Sequence, residues 1–133
     1  KYEIKINEET ILIGHSLGAA FILNYLEQKN KKIKAAFLVA GFHKQLGIEY
    51  DEINKTFIDK KFDWEKIKNN CNKFFIFASD NDPYIPLEIT KELAKILDAK
   101  LTIVHNGVHI NKKAGFDKFP MLLESILKFN NNA

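Results

Sequence analysis

The sequence predicts a parallel α/β fold: a four-stranded sheet with helices packed on its faces. Three observations predict it. Four short runs are apolar almost without interruption, as expected of strands buried on both faces of a parallel sheet. Stretches with helical spacing of apolar residues separate and follow these runs, and strand–helix alternation is the pattern of parallel sheets with right-handed crossovers. The first run also leads without a gap into a Gly-rich turn that opens a helix.

The elements follow in chain order. Thr10-Ile11-Leu12-Ile13-Gly14 is the first strand. Residues 17 to 28 form a helix, with Leu17, Phe21 and Tyr25 at i, i+4 and i+8 as its packing face. Ala36-Phe37-Leu38-Val39-Ala40 is the second strand. The segment from Phe42 to Phe62 has mixed polarity and no clear period, and it is long for a connection. Asp63 is placed to N-cap a short helix carrying Trp64 and Ile67. Phe74-Phe75-Ile76-Phe77-Ala78 is the third strand. Pro86 stands at the start of a helix over 87 to 98, with Ile89, Leu93, Ile96 and Leu97 on one face. Leu101-Thr102-Ile103-Val104-His105 is the fourth strand. Residues 118 to 129 form the last helix, with Phe119, Leu122, Leu123, Ile126 and Leu127 on one face, and Asn130-Asn131-Asn132 is expected to fray.

The 133 residues suit one domain, 1–133. A composition of 46% hydrophobic and 28% charged residues argues against disorder. No apolar run is long enough for a membrane span. The net charge is only +3, and all 20 basic residues are Lys. Without Arg, bidentate reading of bases and phosphates is poorly served, so neither nucleic acid nor membrane is an expected partner. Lys29-Asn30-Lys31-Lys32 reads as a solvated helix end. The single Cys71 permits no internal disulfide, reads as a small buried residue, and fits a reducing, cytoplasmic setting. His105 and His109 are four apart, but no zinc-site pattern surrounds them.

The chemistry centres on Gly14-His15-Ser16-Leu17-Gly18. At a strand-to-helix junction this spacing holds a Ser on a strained turn and lifts its hydroxyl above the sheet edge. The turn is read as too sharp for a side chain at either glycine. The Leu17 N–H, at the helix start, can stabilise a developing oxyanion. A nucleophilic Ser needs a base, and the base needs an orienting carboxylate. The third strand runs into Asp80-Asn81-Asp82-Pro83-Tyr84-Ile85-Pro86, and the fourth into His105-Asn106-Gly107-Val108-His109. Asp82 is favoured over Asp80 because it lies deeper in its loop, before Pro83. Asp80 is better suited to brace its own turn as an Asx-type hydrogen bonder. His109 is favoured over His105, which sits in the apolar run, because Gly107 gives its loop freedom to bring the ring to Ser16. His15 should point away from Ser16 and pack or hydrogen-bond under the site. His43 receives no role.

These residues resemble the nucleophile elbow of α/β-hydrolases. More narrowly, Thr10-Ile11-Leu12-Ile13-Gly14-His15-Ser16, Phe62-Asp63-Trp64-Glu65-Lys66-Ile67-Lys68, Asn81-Asp82-Pro83-Tyr84-Ile85-Pro86 and Gly107-Val108-His109 are similar to blocks of the small serine hydrolases of the retinoblastoma-binding-protein-nine and YdeN type. The resemblance runs from about residue 8 to 129. It implies a three-layer α/β-hydrolase sheet and a triad of Ser16, Asp82 and His109. It also implies hydrolysis of small esters or amides without metal or cofactor. The family carries a strand and a Gly-rich turn ahead of this region, and that turn supplies a second oxyanion donor. Residues 1 to 9 contain no Gly. The expectation is therefore an N-terminally truncated fold of four C-terminal strands, weak as an enzyme by itself.

The expected function is acyl-transfer hydrolysis of a small-molecule ester or amide, with no protein partner identified. The alternatives are a catalytically weak hydrolase-fold interaction module, and acyl transfer to an acceptor other than water. The 42–62 segment is expected to form a pocket wall. Phe42, Tyr50, Phe57, Phe62 and Trp64 are candidates to line it, or equally to form an aromatic core beneath a loop.

Overall fold

A computed structural model describes residues 4–132. Its elements are β1 (Ile11–His15), α1 (Leu17–Gln28), β2 (Ile33–Val39), α2 (Asp51–Ile58), α3 (Trp64–Asn69), β3 (Cys71–Ser79), α4 (Leu87–Leu97), β4 (Lys100–Val104) and α5 (Pro120–Asn131), with a 3-10 turn at Lys112–Ala114. The strands are parallel and lie in the order β1-β2-β3-β4. Because the order advances in one direction, crossovers of one hand put α1, α3 and α4 on one face.

The pleat of β2 separates two cores. Ala36 and Leu38 face Ile22, Leu23 and Leu26 of α1, Ile67 of α3 and Leu93 of α4. Ala35, Phe37 and Val39 face the other way, towards Phe119, Leu122, Ile126 and Phe129 of the C-terminal segment. Alternate residues buried on opposite faces explain the continuous apolar runs. Phe37 and Phe75 stack across β2 and β3, with ring centroids 4.5 Å apart. Among the described residues β1 forms one sheet edge, and an apolar groove of Ile6, Leu12, Ile13, Phe21 and Tyr25 runs beside it.

Asp63 caps α3 as expected, accepting from the Lys66 N–H. Several expectations are corrected. The buried face of α1 is Ala19, Ala20, Ile22, Leu23 and Leu26, whereas Phe21 is 58% exposed. The alanines let the helix sit close to the sheet, and a count of large side chains misses them. On α5, Leu123 and Leu127 face outward, and Leu122, Ile126 and Phe129 pack inward. That helix runs through Asn131, so the Asn tail is largely helical. The 42–62 segment contains the helix α2, a short element of mostly polar residues in which only Ile58 is buried. Lys29, Asn30, Lys31 and Lys32 are exposed. Cys71 is buried, and burial pushes its thiol up to about 12. No helix among the described residues is long and apolar enough to cross a membrane.

Candidate active site

Strand β1 delivers Ser16 to the C-terminal edge of the sheet. Its backbone is left-handed, with φ 55° and ψ −119°, a conformation that costs roughly 1–3 kcal/mol in a non-glycine residue. The surroundings hold it. The Ser16 N–H donates to Val39 O at 2.8 Å, and Ser16 O accepts from the Ala19 N–H at 3.0 Å. Leu17, the residue after Ser16, opens α1, and the first N–H groups of a helix have no acceptor within it. Only one of the two glycines is required by space. A Cβ on Gly14 would lie 2.6 Å from the Gly18 carbonyl oxygen, whereas one on Gly18 would meet nothing within 4 Å. The close approach of helix to strand falls on Gly14, which corrects the expectation for both positions.

His109 reaches Ser16 from the loop after β4. Its Nε2 is 3.1 Å from Ser16 Oγ, and its Nδ1 is 2.9 Å from Asp82 Oδ2. With the proton on Nδ1, the ring donates to Asp82 and accepts from the Ser16 hydroxyl. The Asp82 side chain is 3% exposed and that of His109 12%. The other carboxylate oxygen of Asp82 accepts from the N–H groups of Tyr84 at 2.9 Å and Ile85 at 3.2 Å. This is the Asx-type turn expected of Asp80, so one side chain both folds its own loop and aims an oxygen at the imidazole.

Asp80 instead braces the opposite loop. It accepts from the Asn106 N–H at 2.9 Å, and its other oxygen is 2.6 Å from Nδ1 of the exposed His105. These two bonds hold its carboxyl below the usual carboxylate range, the Asn106 N–H first. Between the two aspartates, Asn81 Oδ1 accepts from the Val108 N–H at 2.9 Å and from the Ser79 hydroxyl at 2.7 Å. Three successive side chains after β3 therefore grip the loop that carries His109.

The grip matters because Asn106, Val108 and Ile110 all have positive φ, at 54°, 51° and 48°. Gly107 is needed for closeness rather than freedom, since a Cβ there would lie 2.9 Å from Val104 Cγ1. The roles of Asp80 and Asn81 are ones that sequence reasoning missed. The available signal was three consecutive Asx residues at a strand end facing a second loop.

His15 lies beside His109, with ring centroids 4.9 Å apart. Its Nε2–H donates to the His109 carbonyl at 2.8 Å, so it steadies the backbone beneath the imidazole. His43 is buried beside Trp64, and its Nδ1 has no partner among the described residues. Burial pushes its pKa down.

A cavity of about 300 Å³ opens at Ser16 and His109. Phe42 and Tyr50 line it, as expected of the 42–62 segment. Phe62 and Trp64 pack at the α1–α3 core, and Phe57 packs against the opposite core.

A serine hydrolase family profile matches residues 2–128. YdeN of Bacillus subtilis strain 168, described as a hydrolase, is 32% identical over 96% of this chain and 67% of its own length. The rat serine hydrolase RBBP9 is 38% identical over 74% of this chain and 52% of its own length, so the chain spans about half to two thirds of these relatives. The B. subtilis ydeN product superposes with a TM-score of 0.87 at 30% identity, covering 93% of this chain and 67% of that one. The meta-cleavage product hydrolase of Pseudomonas fluorescens IP01 shares the fold alone, with a TM-score of 0.68 at 14% identity over 94% of this chain and 65% of its own. With an elbow serine at the end of a parallel strand and a profile matching almost every residue, the chain belongs to the serine hydrolase family.

Proposed function

We propose that the chain hydrolyses small esters or amides through an acyl-enzyme on Ser16. One observation carries the reading: the continuous hydrogen-bonded relay from Ser16 through His109 to Asp82, at 3.1 and 2.9 Å. A fold retained only for protein interaction has no need to keep these three side chains in register across three loops.

In the first half-reaction the Ser16 oxygen bonds to the substrate carbonyl carbon and its proton passes to His109 Nε2. Asp82 accepts from Nδ1 throughout and stabilises the imidazolium. The Leu17 N–H donates to the carbonyl oxygen as it gains negative charge. The imidazolium returns its proton to the departing alcohol or amine as the carbon–heteroatom bond breaks. Water then attacks the acyl-enzyme, giving its proton to His109, and Ser16 leaves with that proton. These steps use side chains, a backbone N–H and water.

A single oxyanion donor is weak, since loss of one of a pair typically costs about 10²–10³ in rate. The described residues supply Leu17, so slow turnover of the 133-residue chain is part of the proposal. The test is p-nitrophenyl acetate hydrolysis by the chain and by Ser16→Ala, His109→Ala and the double variant. The expected result is that the double variant loses no more than either single one, because the two residues act as a unit. Multiplying losses, or turnover unaffected by Ser16→Ala, would overturn the reading.

A further inference from the structure

The cavity at Ser16 has walls of a definite chemistry. Apart from Ser16 and His109 it is lined by Phe42, Leu46, Ile48, Tyr50, Tyr84 and Ile85, with Asn54 and Asn111. Among the described residues no Lys, Asp or Glu lines it, in a chain with 20 basic and 17 acidic residues. A charged group entering it would find no Lys, Asp or Glu side chain to pair with.

Its size is equally restrictive. A volume of about 300 Å³ is at the low end for ligand sites and holds about ten water-sized groups. Tyr84 sits edge-on to His109, with ring centroids 5.1 Å apart, and Tyr50 sits edge-on to Tyr84 at 6.4 Å. Rings so placed favour edge-to-face contact with an aromatic guest.

The wall after β2 is irregular backbone, yet it is fixed. The N–H groups of Leu46, Gly47 and Ile48 converge on the Asp51 carboxylate at 2.9, 2.7 and 3.2 Å. Gly47 turns with φ 76°, and the residues on either side of it, Leu46 and Ile48, line the cavity. The Leu46 N–H first, with those of Gly47 and Ile48, holds the Asp51 carboxyl below the usual carboxylate range.

We infer that this cavity takes the uncharged, compact aromatic portion of a small ester or amide, and that Asp51 is the positioning residue that folds its wall. The inference rests on the hydrolase reading for the identity of the ligand, but not for its chemistry.

The test uses phenylacetamide and succinamate, a neutral aromatic amide and an anionic one, titrated into the ¹⁵N-labelled chain. Phenylacetamide should shift the amide signals of Leu46, Gly47, Ile48 and Tyr84, and succinamate should bind at least about tenfold more weakly. Asp51→Ala should weaken phenylacetamide about tenfold, with Asp51→Asn, which keeps one carbonyl acceptor, between it and the parent. On p-nitrophenyl phenylacetate the loss should fall on KM more than on kcat, which a general loosening of the fold would not produce. Equal affinity for the two amides, shifts mapping elsewhere, or no effect of Asp51→Ala on a folded protein overturns the inference. Labelling of Ser16 by a small fluorophosphonate is read separately. Selective phenylacetamide binding without labelling sinks the hydrolase reading and leaves the cavity assignment standing.

Discussion

Replacing Asn81 with Ala removes the side chain that holds the His109 loop at one of its strained positions. Val108 is β-branched and has φ 51°, a conformation worth roughly 1–3 kcal/mol of strain. Its N–H donates to Asn81 Oδ1 at 2.9 Å, a bond with a net worth of about 0.5–1.5 kcal/mol. Without that acceptor the loop has less reason to keep Val108 left-handed, and His109 is the next residue. A shift of about 0.5–1.5 kcal/mol between the held and relaxed loop lowers the ratio of molecules with His109 on Ser16 to those without by about 2–12-fold. The assay is p-nitrophenyl acetate turnover, with kcat expected to fall by that factor and KM to change little.

The strain argument makes a second demand. Val108→Gly removes the penalty on positive φ, so Asn81→Ala in that background should cost less than about threefold. Val108 is partly exposed, so little packing is lost with it. Equal losses in both backgrounds, or undiminished kcat in folded Asn81→Ala, would refute the reasoning.

Two further predictions concern stability. Gly14→Ala puts a Cβ 2.6 Å from a backbone oxygen and should cost about 1–3 kcal/mol in urea unfolding. Gly18→Ala, which meets nothing within 4 Å, should gain about 0.5–1 kcal/mol from helix propensity. Similar effects of the two would contradict the steric account of the elbow. His43 binds its proton less readily folded than unfolded because it is buried, an effect that Glu92 opposes and Lys44 reinforces. Its contribution is therefore full above the ordinary value of 6.5 and is lost as pH falls through that value towards the lower folded one. Urea melts at about pH 7.5 and about pH 5.5 should show a larger acid loss in the parent than in His43→Phe, and parallel losses would exclude His43 as the cause.

The strands were legible because burial on both faces leaves a plain signature, as in Phe74 to Ala78. The elbow was legible because strand, Gly14 and helix are contiguous. Asp82 and His109 could be chosen because each loop offered only two candidates. What could not be read depends on a facing surface. Phe21 has the right spacing for a core residue, but the helix meets the sheet through Ala19 and Ala20. Asp80 and Asn81 acquire their roles from backbone N–H groups 26 and 27 residues away. Asp51 folds a wall that has no period to detect.

The central claim is that Ser16 is a nucleophile made so by His109. Its most direct measurement is intact-mass and peptide analysis of the chain after exposure to a fluorophosphonate, for the parent and for His109→Ala. The account predicts one adduct, on the peptide carrying Ser16, formed at least about 10²-fold more slowly in His109→Ala. No adduct on Ser16, or labelling at the same rate without His109, would contradict it.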